Sequence, residues 1–212
     1  MNTTALEQLI KISEQFDINI QAAALEVLGN PKFPLWSGSA HSKVHHYGKG
    51  KLAQHTLEVV ELCLQNNEYF SKLDKAVPKD QLFLAALFHD IGKLDDYDYY
   101  RKGEIIKTSE IKGPAGFITV GNDYEVWKST EHKKKIYHIS KSAIIWSKTF
   151  DTHLKGVVDK DFHDNVLHAI LSHHGRLEWK SPVTPQDRMG WLLHLSDCMS
   201  ARIDDCLNDF SK

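Results

Sequence analysis

Apolar residues along this chain recur mostly three and four positions apart, the spacing that gathers side chains on one face of an α-helix. Leu6, Leu9, Ile10, Ile12 and Phe16 follow it and Ala22 to Leu28 continue it, so residues 3 to 28 are predicted helical. "GNPKFP" then breaks the pattern with Gly29, Pro31 and Pro34. Residues 37 to 50, "SGSAHSKVHHYGKG", read as a loop with three histidines. Leu52, His55, Thr56, Val59, Leu62 and Cys63 share one face of a second helix, from about Leu52 to Asn66. His55 therefore stands on an apolar face. A third helix is expected from Lys79 to His89.

The period is lost over residues 101 to 135. Gly103, Gly113, Pro114, Gly116 and Gly121 punctuate the short β-prone runs "EIIKT" and "GFITV", which reads as a small β-hairpin or irregular insertion. Helices resume at Tyr137 to Phe150, Asp161 to His173 and Pro185 to Leu207. The expected fold is all-α, helices packed around one core. We expect a single domain over residues 1–212, with a helical N-terminal extension over 1–35 and the main body over 36–207.

Composition narrows the function. A net charge of -2 supplies no global basic field, so any phosphate-binding surface must be local. The longest apolar runs are far too short to span a bilayer, so no membrane partner is expected. The start, "MNTTALEQLI", lacks the basic region and apolar core of a signal peptide. Cys63, Cys198 and Cys206 are widely spaced and fit reduced thiols in a cytoplasmic protein. The abnormal count is histidine, at 13.

Several polar residues interrupt apolar helical runs. His89 and Asp90 close "LFLAALF", His173 and His174 close "NVLHAILS", and Asp197 interrupts "WLLHLSDCMSARI". A buried carboxylate or imidazole needs a hydrogen bond, an opposite charge or a metal. If these faces converge with that of His55, they form a His/Asp site suited to Mn, Fe, Zn, Ni, Co or Mg. Gly92 permits close backbone approach or positive φ, and Lys93 offers a point charge to an anion. Arg176 and Lys180 flank the His-His pair as candidates for substrate phosphates, whereas Trp179 reads as packing. Asp95, Asp96 and Asp98 read as a wet loop, and "EHKKK", residues 131 to 135, as a charged turn. His41, His132, His153, His163, His168 and His194 receive no role.

The ordered set His55, His89-Asp90 and Asp197, with "LFHDIGK" and "SHHG", resembles the HD-domain metal-dependent phosphohydrolases from about Trp36 to Asp205. "HHYGKGKLAQHTLEVV", "LSHHGRLEWKSP" and "LLHLSDCMSARID" are similar to the HD domain of YhaM-type 3′-to-5′ exoribonucleases. The "HH…HTLEVV" block and "KKIYHIS" are similar to TraI-type proteins of mobile elements. The exoribonucleases carry an OB domain before the HD domain, whereas the roughly 50 residues before His55 read as helical, which argues against processive RNA degradation.

The resemblance implies an HD-type helical bundle and divalent metal ions, two of them. One ion would be held by His55, His89, Asp90 and Asp197. Asp90 would bridge to a second held by His138 and His173, with His174 as a further candidate. Asp90 and Lys93 are then the catalytic candidates, Lys93 touching phosphate, with His45, His46 and Arg176 near the substrate. The implied activity is a phosphodiesterase acting on nucleotides or short single-stranded nucleic acid, and an oligomer is compatible with it. The alternatives are a nucleotide- or nucleic-acid-binding module of a mobile element or phage with a structural metal, and a di-iron oxygenase.

Overall fold

A computed structural model describes residues 3–40, 44–100, 105–107, 117–119 and 126–209; the side chains of 105–107, 117–119, 126 and 204–209 are not described. His41, the punctuating residues Gly103, Gly113, Pro114, Gly116 and Gly121, and the Cys206 side chain lie outside this set. Cys63 and Cys198 are free thiols.

The first predicted helical stretch is two helices. Helix α1 (Ala5–Ser13) starts with a capping box between Thr4 and Glu7, and α2 (Ile18–Leu28) starts at Asp17, whose carboxylate accepts from the Asn19 backbone N–H at 2.9 Å. That cap satisfies an otherwise orphaned donor and ends the run that apolar periodicity extends through residue 17. Phe16, in the break, stacks on Phe83 with ring centroids 4.5 Å apart.

Helix α3 (Lys51–Ser71) carries Leu52, His55, Val59 and Cys63 on its buried face and outlasts its predicted end by a turn. Helix α4 (Lys79–Phe88) is buried from Leu82 through Phe88 without interruption. A helix apolar all round belongs in the middle of a bundle. It packs against α2 and α3, and against α7 (His138–Thr149), α8 (Lys160–Ser172) and α9 (Arg188–Asp209). Trp146 of α7, fully buried, meets Phe88 edge to face with centroids 5.5 Å apart. The end of α4 thus sits where several helices meet.

The insertion begins earlier than its glycines suggest. After the short α5 (Lys93–Asp96), β1 (Tyr97–Tyr100) pairs antiparallel with β4 (Val126–Ser129), and β2 (Ile105–Lys107) pairs antiparallel with β3 (Phe117–Thr119). The "EHKKK" segment is a helix, α6 (Glu131–Lys135), capped by Thr130, whose hydroxyl accepts from the Lys133 N–H at 3.2 Å. Thr130 also donates from its amide to the Asp96 carbonyl at 3.0 Å and from its hydroxyl to the Asp95 carbonyl at 2.7 Å. These bonds close the insertion back onto α5. The architecture is mostly helical with small antiparallel strand pairs, in agreement with the all-α expectation. Among the described residues no helix is long and apolar enough to cross a membrane.

Candidate metal centre

Five elements deliver polar side chains to the end of α4. Helix α3 supplies His55, the turn that closes α4 supplies His89 and Asp90, and the start of α7 supplies His138. The last turn of α8 leads into His173 and His174, and α9 supplies Asp197. His89 keeps helical dihedrals (φ -52°, ψ -40°), so the apolar helix itself aims the ring.

The side chains form two groups. His55, His89 and Asp197 hold one ligand atom each within 4.8 Å of one another, and so do His138, His173 and His174. Asp90 lies between them with its two oxygens divided. Oδ2 is 3.2 Å from His55 Nε2 and 3.5 Å from His89 Nε2, while Oδ1 is 3.4 Å from His138 Nε2 and 3.8 Å from His173 Nε2. Asp197 Oδ1 closes the first group at 3.1 Å from His55 Nε2. His138 and His174 bring their Nε2 atoms to 3.3 Å in the second.

Two buried atoms, Asp90 Oδ1 and His173 Nε2, make no hydrogen bond. Such orphans are rare in folded proteins and are explained where a cation accepts their lone pairs. The opposite nitrogen of each ring is engaged. His89 Nδ1 donates to the Ala86 carbonyl at 2.7 Å, His173 Nδ1 to the Ile170 carbonyl at 2.7 Å, and His174 Nδ1 to the Trp179 carbonyl at 2.6 Å. A carbonyl only accepts, so these three rings carry their proton on Nδ1 and present a lone pair at Nε2. His55 Nδ1 is 2.9 Å from Ser200 Oγ, which donates onward to Glu58 at 2.7 Å. The set fits divalent cations in both groups.

The protonation states agree. Burial opposes a charge on Asp90, but the charge of the adjacent Lys93 ammonium outweighs it and holds the carboxyl well below the usual range. Asp197 is held down in the same way, chiefly by its hydrogen bond to His55. Burial pushes His89 and His173 down, and His138 to about 4, leaving neutral rings. His55 differs: burial opposes its charge, yet Asp197 and Asp90 outweigh it and raise the ring to about 9. An entering cation would replace that proton.

Asp96 was missed by sequence reasoning. Read as part of a wet loop, its carboxylate is fully buried, with Oδ2 3.2 Å from His138 Nδ1 and Oδ1 3.3 Å from His132 Nδ1. Nothing in "KLDDYDYY" separates Asp96 from Asp95, which pairs with Lys141 at 2.7 Å, or from exposed Asp98. A carboxylate behind a ligating imidazole fixes its tautomer and raises its basicity. Replacement of Asp96 by Asn is expected to weaken metal binding by about 10–100-fold with the fold retained. Chelator titration followed by metal content checks this.

Gly92 acts through space rather than through φ, which is -61°. A Cβ there would meet the His138 carbonyl oxygen at 2.2 Å and its Cα at 2.9 Å. The turn after α4 therefore packs directly on the backbone that carries His138. Gly92→Ala is expected to cost about 1–3 kcal/mol by overpacking and to lower the metal content, as read by denaturant unfolding and metal analysis.

The remaining expected residues lie around the two groups. Lys93 Nζ reaches Asp90 Oδ2 at 2.5 Å, with 12% of its side chain exposed. His46 is buried on the Nδ1 side of His55, its Nε2 3.0 Å from Glu58 and 3.5 Å from Ser200 Oγ. His46 thus meets the same Ser200 and Glu58 side chains that stand behind His55 Nδ1. His45 is half-buried beside it. Arg176 is exposed with its guanidinium 5.0 Å from the Trp179 ring, and Trp179 is itself 49% exposed rather than packed. Glu58 and Ser200, also missed, carry no sequence signal because they act through His55. His194, which received no role, donates from Nδ1 to the His173 carbonyl at 2.8 Å.

A comparison with solved structures finds no match. The family model of the HD domain matches residues 52–202, a span that contains every member of both groups. The two His/Asp groups and that match agree: the chain belongs to the HD-domain family of metal-dependent phosphohydrolases.

Proposed function

We propose that this protein is a two-metal phosphodiesterase that acts on nucleotides or short single-stranded nucleic acid. The observation that carries this reading is the divided carboxylate of Asp90, which turns Oδ2 to His55 at 3.2 Å and Oδ1 to His138 at 3.4 Å. His55, His89, Asp90 and Asp197 would hold one ion, and Asp90, His138, His173 and His174 the other. Divalent ions so placed supply Lewis acidity at phosphoryl oxygens and lower the pKa of water.

The protein's own groups do the rest. The Nδ1 anchors fix the ring directions before any ligand arrives, so little reorganisation accompanies the reaction. Lys93 holds its proton because Asp90 outweighs the cost of burial. It serves as a fixed positive charge for a phosphate oxygen. Asp197, with 19% of its side chain exposed, and half-buried His174 mark the side from which a substrate enters.

Metal analysis of the purified protein, paired with a hydrolysis screen over nucleotides, short oligonucleotides and generic phosphodiesters with Mn, Mg, Ni, Co, Fe and Zn, tests the reading. Two equivalents of metal with diester turnover are expected. Tight oligonucleotide binding with no turnover under any metal would replace it with a binding module, and oxygen-dependent turnover with an iron chromophore would replace it with an oxygenase.

A further inference from the structure

Of the three lysines of α6, two face solvent and one turns inward. Lys134 pairs with Glu131 at 2.5 Å at the exposed surface, and Lys135 is exposed. Lys133 is half-buried, and its Nζ lies 3.1 Å from the Tyr97 hydroxyl and 4.4 Å from the Tyr97 ring centroid. Among the described residues it has no carboxylate partner. Burial accordingly pulls its ammonium below the usual lysine range. The neighbouring carboxylates are committed elsewhere: both oxygens of Asp96 face imidazoles, and Asp90 faces Lys93 and the two His groups. Tyr97, 5% exposed, accepts from Lys133 and keeps its own proton, with no acceptor among the described residues. Tyr97 follows Lys93 by four residues, one helical turn across α5, so Lys93 stands between Asp90 on one side and the Tyr97–Lys133 pair on the other. Burial pushes the Tyr97 phenol up to about 12, against the pull of the Lys93 charge.

A half-buried ammonium and a phenol proton, both without an anionic acceptor, are costly unless a ligand supplies one. Four residues after Lys133, Tyr137 is held at φ 66° with its ring 4.2 Å from that of His138, and Lys180 Nζ stands 4.9 Å from the Tyr137 ring centroid.

We propose that Tyr97 and Lys133, adjoining Lys93, form an anion subsite that takes a second phosphate of the substrate, next to the one that is cleaved. The inference rests on the phosphodiesterase reading and narrows its substrates to those with a neighbouring phosphate, either a terminal monoester or the next diester of a short strand. Lys133 and the Tyr97 hydroxyl donate to its oxygens.

The test compares thymidine dinucleotides with and without a 5′-terminal phosphate, and the trinucleotide, on the metal-loaded protein. A preference of about tenfold or more in kcat/KM for the extra phosphate is expected, the size of one hydrogen bond to a charged group. If the terminal monoester alone is preferred, it is the source of the second phosphate; if the trinucleotide is preferred too, the neighbouring diester also serves. In Lys133→Met, which keeps an aliphatic stem on the Tyr97 ring, and independently in Tyr97→Phe, that ratio should collapse towards unity. A purely structural role would lower all substrates alike and leave the ratio standing. No preference in the natural protein, or a ratio unchanged in both variants, overturns the subsite while diester cleavage survives. If none of the three is cleaved, the phosphodiesterase reading falls, and the same ratio in Kd by calorimetry decides the subsite alone.

Discussion

Asp90→Ala is expected to abolish diester hydrolysis and to strip metal from both groups. Removing one electrostatic contact from an active site costs about 10²–10³ in kcat. Asp90 faces both groups, so the loss should reach about 10³-fold or more. Its side chain is 2% exposed, with one oxygen towards His55 and His89 and the other towards His138 and His173. Without it the second group is three imidazoles with no negative charge, a weak site for a hard divalent cation. The variant also leaves Lys93 partly buried without its carboxylate, so folding must be checked by thermal denaturation. Asp90→Asn keeps the volume and two polar atoms and separates loss of charge from loss of packing. Activity and metal content near those of the natural protein in either variant would sink the bridging role.

Lys93→Ala should lower kcat on a generic phosphodiester by about 10²–10³-fold while the metals stay bound. The physical basis is a fixed ammonium in a partly dry position, where one charge is worth more than in water. Lys93 is held 2.5 Å from Asp90 Oδ2 and does not titrate near neutrality, because Asp90 raises it above the usual lysine range. If Lys93 served only to neutralise Asp90, its removal would change metal affinity and leave kcat of the loaded enzyme within a few-fold. Lys93→Arg keeps the charge and moves its centre, so partial activity is expected there. Kinetics at saturating metal, with metal content measured in the same samples, separates the two roles.

What was legible in the sequence has a local physical basis. Helical periodicity is a property of residues three and four apart, so the apolar faces of α3, α4, α8 and α9 were readable, and so were the polar residues set into them. His55, His89, Asp90, His138, His173, His174 and Asp197 all stand out in the sequence, and the structure brings them together. The break between α1 and α2 was missed because a single cap at Asp17 outweighs a periodic run. The insertion was legible from its glycines and β-prone runs, whereas its outer pair, β1 with β4, was not, because it joins segments about 30 residues apart.

Tertiary structure decided the rest. Which carboxylate supports a ring depends on packing between elements distant in sequence. Asp96 meets His138 across 42 residues and Ser200 meets His55 across 145. No local pattern distinguishes Asp96, buried against two imidazoles, from exposed Asp98 two positions later. The sequence by itself determined which residue types reach the end of α4 and that a cation suits them. The family resemblance already implied two groups with Asp90 between them; only the packed structure put Asp96 behind His138 and Ser200 behind His55, and turned Lys133 inward onto Tyr97, because those outcomes depend on helices meeting in space rather than on the order of residues along any one of them.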